Sequence, residues 1–170
     1  MRGYVEVGIN DILNSLITDR TQADVDYALS LQNNSVHTDA DLRGAYNISD
    51  RNRVGNAINW LVDAMNMLGL HAKDNWTLYD IARVADNANT IECLSRLRIL
   101  LPINWATGVP ADMDKLSYQK ANDIERVLYE VGSAFRFIVP LYTGDGYITD
   151  FGTIDNQLID DNWNFNFTMN

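Results

Sequence analysis

The stretch 49–69, SDRNRVGNAINWLVDAMNMLG, decides the fold. Val54, Ala57, Ile58, Leu61, Met65 and Leu68 recur three and four residues apart, which places them on one side of an α-helix. Ser49 stands where a helix is capped and Gly69 where one stops. Asn52, Asn56, Asn59, Asp63 and Asn66 keep the same spacing on a second face, which reads as a solvated outer stripe. That stripe is unusual only in its asparagines, since asparagine is a mediocre helix former. Trp60 and Met67 fall outside the apolar stripe and are expected to pack on a neighbouring element.

Working outward, Thr18–Leu31 reads as a short helix with Val25, Ala28 and Leu29 on its apolar face. Thr21 and Asp24 have the form of a capping box, with Asp in place of Glu or Gln. The polar stretch Gln32–Asp41 reads as a loop, and Met1–Ile17 as an arm in which Tyr4, Val5 and Val7 suggest a short strand. After Gly69 comes a connector, Leu70–Trp76, and then Thr77 and Asp80 in a second box that starts a turn of helix. A long helix is expected from Asp86 or Asn87 to Leu101, with Ile91, Leu94, Leu97 and Leu101 inward and Pro102 as its terminator. The loop Ile103–Asp114 holds Trp105, Gly108 and Pro110. The last helix starts near Ser117, with Leu116 and Ala121 placed as a weak hydrophobic staple. Ala121, Ile124, Leu128, Val131, Phe135 and Ile138 make its stripe, and Pro140 is expected to close it.

Beyond Pro140 the chain changes character. Trp163, Phe165, Phe167 and Met169 alternate with Asn162, Asn164, Asn166 and Thr168, which puts all four apolar side chains on one face of a strand. Such a face must be buried, either on the chain's own helices or in a neighbouring subunit by strand addition. These four residues are the candidate partner-binding set. The expected fold is therefore mainly α: a small bundle of three to four helices over 18–139, with an N-terminal arm over 1–17. An extended assembly arm, partly β-strand, occupies 140–170.

Composition narrows the function. The chain has 170 residues and is 46% hydrophobic, enough for one packed domain with arms. Its net charge of −10 argues against a nucleic-acid partner, because phosphates must be neutralised by Lys and Arg. The single cysteine, Cys93, rules out an intramolecular disulfide. No run approaches the roughly 20 apolar residues that span a bilayer, so no membrane insertion is expected. The start of the chain lacks a signal-peptide layout, which places synthesis in a cytoplasm.

Catalytic patterns are missing from the sequence. His37 and His71 have no motif around them, and Cys93 reads as a small buried hydrophobe. No phosphate loop, nucleophile elbow or zinc signature occurs. Asp112 with Asp114, or Asp160 with Asp161, are acid–base candidates only in the sense that any acidic pair is. Asp145-Gly146-Tyr147 has the outline of the middle of a calcium hand, but its end positions would fall on Leu141 and Gly152, which lack carboxylates. No catalytic residue, cofactor or metal is expected.

Several segments resemble a family of tail-associated structural proteins of phages and prophages of Gram-positive bacteria. They are Thr18-Asp19-Arg20-Thr21-Gln22-Ala23-Asp24-Val25, Gly44-Ala45-Tyr46-Asn47 and Asp50-Arg51-Asn52-Arg53-Val54-Gly55-Asn56-Ala57. Asn75-Trp76-Thr77 and Met113-Asp114-Lys115-Leu116-Ser117-Tyr118-Gln119-Lys120-Ala121-Asn122 come next in order. The resemblance implies a virion component, tail fibre or baseplate in type, without catalysis, whose partners are other virion proteins and copies of itself. The short spacer between the first two motifs departs from the family, and the two arms have no counterpart in it. Neck, collar or head-decoration positions in a virion, and an intracellular phage-encoded regulatory binding protein, are the alternatives. A tail-borne cell-wall hydrolase ranks behind them for want of an active-site pattern. In physical terms, Asp50, Arg51 and Arg53 stand ready to pair with Asp19, Arg20 or Asp24 and so lock two helices together.

Overall fold

The computed structural model describes residues 2–31, 43–67, 69–101 and 103–142. Among them lie five helices: α1 (Arg2–Ser15), α2 (Gln22–Leu31), α3 (Ile48–Ala64), α4 (Val84–Leu100) and α5 (Tyr118–Tyr142). The fold is mainly α, and no strand occurs among the described residues. The chain divides into two compact units, Met1–Gly132 and Ser133–Asn170. The first holds the ionic cluster and the loops that it fixes. Of the second, the described part is the continuation of α5 from Ser133 to Tyr142.

α3 matches the expected periodicity. Val54, Ala57, Ile58, Leu61 and Met65 are all buried, and Val62 joins them. Its cap is Asn47 rather than Ser49. The Asn47 Oδ1 accepts the N–H groups of Ser49 and Asp50, and the Asp50 carboxylate accepts the Asn47 N–H, a complete reciprocal box. The helix ends before Gly69. Asn66 takes the left-handed conformation at φ 53°, and the N–H groups of Asn66 and Met67 bond to the carbonyls of Asp63 and Val62. That is a Schellman closure built on asparagine, one of the few non-glycine residues that tolerates this conformation.

α4 adds Cys93, Leu94 and Leu97 to the core, and α5 adds Ala121, Ile124, Val127, Leu128 and Val131, all buried. Each fully buried leucine or isoleucine contributes roughly 1.5–3 kcal/mol relative to exposure. Gly132 lets the side chains of Leu13 and Leu61 come in, since a Cβ there would stand 2.8 Å from Leu13 Cδ2.

Two expectations are corrected. The segment 1–17 is not an extended arm with a strand at Tyr4–Val7; it holds the fourteen-residue helix α1, anchored by Ile9 and Leu13, which are buried and four residues apart. Tyr, Val and Val are strand-favouring only weakly, and tertiary burial of an i, i+4 pair outweighs that preference. Pro140 does not close the last helix, which continues to Tyr142. A proline there removes one N–H from the final turns, and the helix tolerates that loss near its end. The expected C-terminal strand lies outside the described residues, as do Leu68, Pro102 and the polar stretch 32–41.

Candidate functional site

The site is built on a buried ionic cluster that fixes where the loops can go. Arg20, in the link between α1 and α2, sends Nη2 to Asp50 at 2.8 Å and to Glu125 at 2.6 Å. Arg53 bonds Glu125 through Nε at 3.0 Å and Nη2 at 2.8 Å, and also reaches Asp50. Glu125 is fully buried, and its Oε2 accepts the Ile17 N–H at 2.6 Å as well. Arg20 completes its donors on the carbonyls of Arg43 and Ile17. Two cations and two anions cancel, and every charged oxygen is hydrogen-bonded, which is the condition for holding ions inside a protein. Burial pushes the Arg53 guanidinium down, but the hydrogen bonds and charge of Glu125 and the charge of Asp50 outweigh it and hold it above its ordinary value. The phenol of Tyr46, raised by burial and then by the nearby Glu125 charge, stays neutral beside the cluster.

The expected pairing between the two motifs is realised by Arg20 with Asp50. The other members go elsewhere. Asp19 pairs with Arg43, Asp24 turns back onto Thr21, and Arg51 bonds Asn87. Glu125, the hub, was missed by sequence reasoning. Its signal was a carboxylate four residues after Ala121 and three before Leu128, on the apolar side of α5.

Asparagines supply the second device. The Asn52 side chain donates to the Trp76 carbonyl at 3.0 Å and accepts the Trp76 N–H at 2.6 Å. Asn59 does the same to Ala72, at 2.9 and 2.8 Å, and also reaches Asp74. Asn122 on α5 grips Arg20 in the same way, at 2.8 and 3.0 Å. A primary amide has the same donor–acceptor layout as a peptide unit, so each asparagine replaces one rung of a sheet. Within the stripe on α3, Asn56, Asp63 and Asn66 are exposed, as a solvated outer face requires, whereas Asn52 and Asn59 depart from that expectation and seat the connector. Gly55 lies between the two clamps, and a Cβ there would stand 2.4 Å from the Lys73 carbonyl oxygen. The connector backbone runs directly over it. Trp76 is buried at the end of this run, its indole N–H on the Lys73 carbonyl and its ring 4.4 Å from Lys73 Nζ and 4.9 Å from Arg51 Cζ.

Past the clamped connector the chain is exposed. Leu78, Tyr79, Ile81 and Val84 are 87, 95, 86 and 79% exposed, four large apolar side chains within seven residues. Single exposed apolar residues need no explanation, but four so close together in the chain are unusual. The backbone that carries it is held in place. The Asp80 carboxylate accepts the Thr77 N–H and hydroxyl, each at 2.7 Å, and pairs with Lys73. Lys73 and Thr77 together hold the Asp80 carboxyl below the usual carboxylate range. Asp86 accepts the Arg83 N–H at 3.0 Å and begins α4. The Thr77–Asp80 box therefore forms as expected, as a turn and not as a helical start.

The remaining chemical candidates have structural surroundings. His71 Nε2 meets Asp63 at 2.8 Å on the surface, while His37 lies outside the described residues. Asp112 accepts the Asp114 N–H and Lys120 Nζ, which stabilises a turn before α5. Burial, then the charge of Glu92, pushes the Cys93 thiol up to about 11. A thiol reagent at pH 8 is accordingly expected to label the native chain roughly two orders of magnitude more slowly than an unfolded one. Labelling at equal rates with and without denaturant, followed by absorbance, would contradict the buried placement.

Among the described residues no group of three or more His, Cys, Asp and Glu is placed to hold a metal ion, and no helix is long and apolar enough to cross a membrane. Trp163, Phe165, Phe167 and Met169, and Asp160 with Asp161, lie outside the described residues. Comparison with family models, with curated proteins and with solved structures finds no match to the chain.

Proposed function

We propose that this chain is a non-enzymatic structural component of a bacteriophage virion, positioned near the tail tip or baseplate and joining tail, fibre or receptor-binding proteins. The observation that carries the reading is the display of Leu78, Tyr79, Ile81 and Val84 from a turn to the start of α4, on backbone held by the Thr77–Asp80 and Arg83–Asp86 hydrogen bonds. An enzyme concentrates its polar groups in a cleft; here the buried polar groups are spent on holding loops, and the turn beyond them is apolar. The family resemblance of the motifs supports the same reading, since Arg20, Asp50, Gly55, Asn52 and Trp76 all fall within them and all serve this scaffold. The acidic net charge of −10 suits a protein packed at high copy number without binding the genome. Partners are then other virion proteins and copies of the chain itself. Synthesis is in the host cytoplasm, with the virion as the final location.

The test is quantitative mass spectrometry of purified particles against the major tail tube protein. A fixed ratio corresponding to a ring of copies is the expected result. Absence from particles would leave the intracellular phage-encoded regulatory binding protein as the better account. A ratio matching neck, collar or capsid decoration would move the position while keeping the virion role.

A further inference from the structure

Resting on that reading and deepening it, we propose that the surface from Leu78 to Ala88 pairs, side chain to side chain, with the same surface of a second copy of this chain across a two-fold axis. The segment is turned inside out. Its polar side chains bond within the fold: Asp80 binds Thr77 and Lys73, Asp86 accepts the Arg83 N–H, and Asn87 accepts Arg51 Nη1 at 3.1 Å. Its exposed positions are Leu78, Tyr79, Ile81 and Val84, the small side chains of Ala82, Ala85 and Ala88, and a single charge, Arg83. A segment bound for water carries the opposite arrangement. Val84, Ala85 and Ala88 keep the spacing of one helix face, so the apolar surface continues from the turn onto the start of α4. The backbone is already hydrogen-bonded at Asp80 and Arg83, so the contact is made by side chains and not by strand pairing.

Two observations name a second copy as the occupant. The first is area. Roughly 200 Å² from the tyrosine and about 100 Å² from each larger aliphatic side chain, with the alanines, make about 600 Å² per copy. A pair then buries about 1,200 Å², the lower edge of what a specific interface needs. Each copy covers the other, and no further apolar surface is required. The second is charge. The chain carries −10, so two copies repel each other. Residues 73–88 carry Lys73 and Arg83 against Asp74, Asp80 and Asp86, a nearly neutral face on an acidic chain. Copies meet there with little repulsion, whereas a basic partner is drawn to the acidic remainder of the surface. The contact therefore strengthens as salt rises, because salt screens the repulsion and leaves apolar burial intact. The backbone is preformed by the Thr77–Asp80 and Arg83–Asp86 hydrogen bonds, so little ordering opposes binding. A two-fold contact consumes the same surface on both copies, and association stops at a dimer.

The experiment is sedimentation velocity of the full chain over a concentration series. The wild type is expected to form a dimer with a micromolar Kd, tighter at about 0.5 M than at about 0.05 M NaCl. Tyr79→Ser is expected to raise that Kd about 30-fold, the loss of one aromatic anchor. Ala85→Glu is expected to abolish the dimer, because the two-fold axis sets a charge into the apolar face of both copies. Glutamate suits the first turn of a helix, so the circular-dichroism spectrum is unchanged and the denaturation midpoint is not lowered. Mixing Ala85→Glu with labelled wild type is expected to give no mixed dimer of wild-type strength. Such a mixed dimer would show that the strip meets a different surface of the second copy, and it would overturn the proposal. A wild type that stays monomeric at millimolar concentration, a dimer that weakens as salt rises, or a folded Ala85→Glu chain that still dimerises would each overturn it too. These outcomes are separate from the virion test. A monomeric chain recovered from purified particles sinks this contact alone, and a dimeric chain absent from particles supports this contact and sinks the virion role alone.

Discussion

Glu125→Gln is expected to lower the unfolding free energy by about 3–5 kcal/mol, a large share of the roughly 5–15 kcal/mol that holds a typical domain together. The side chain keeps its size, so the loss is electrostatic and not a cavity. Glu125 accepts from Ile17, Arg20 and Arg53, and removing its charge leaves the cluster with two guanidinium groups against the single carboxylate of Asp50. The amide nitrogen would also face donors where an acceptor stood. Urea denaturation followed by circular dichroism measures the effect. The double variant Glu125→Gln with Arg53→Gln is expected to lose less than the sum of the two single changes, because the second substitution removes one of the stranded cations. Strict additivity would mean that the two side chains do not act as a pair.

Gly55→Ala sets two principles in opposition. Helix propensity favours alanine over glycine by roughly 0.5–1 kcal/mol. The connector opposes it, since the new Cβ would stand 2.4 Å from the Lys73 carbonyl oxygen and 2.8 Å from the Asp74 Cα, both backbone atoms. Backbone cannot swing aside as a flexible side chain does, and overpacking of this kind costs about 1–3 kcal/mol or more. The expected result is a net loss of stability, together with release of Trp76 from its buried place and a red shift in tryptophan emission. Asn56→Ala, at the exposed neighbouring position, is expected to be neutral or slightly stabilising. A stabilised Gly55→Ala variant would show that the connector does not lie against the helix.

The parts of the fold that were legible in the sequence are those governed by local rules. α3 and α5 follow from the spacing of their apolar residues, and the Thr21–Asp24 and Thr77–Asp80 boxes from residues three apart. α1 was hidden because Tyr4, Val5 and Val7 favour a strand, while its buried pair Ile9 and Leu13 is too short a pattern to outweigh them. Arg20 with Asp50 was foreseeable once the two motifs were set side by side, but Glu125 stands 105 residues from Arg20 and 72 from Arg53. No local rule spans such a distance. The asparagine stripe was visible as a pattern, and its exposed members Asn56, Asp63 and Asn66 fit a solvated face; the part formed by Asn52 and Asn59 was misjudged, because a polar face on a helix is usually wet. What distinguishes it is the extended chain lying on top, and that is a tertiary fact.

The asparagine clamps also limit indiscriminate association. When a strand holds an extended segment, it satisfies one side and presents its own outer edge, which is a fresh template for the next chain. An asparagine held on a helix closes a rung and offers no such edge. The connector between Ala72 and Trp76 is therefore pinned at both ends by rungs that cannot propagate.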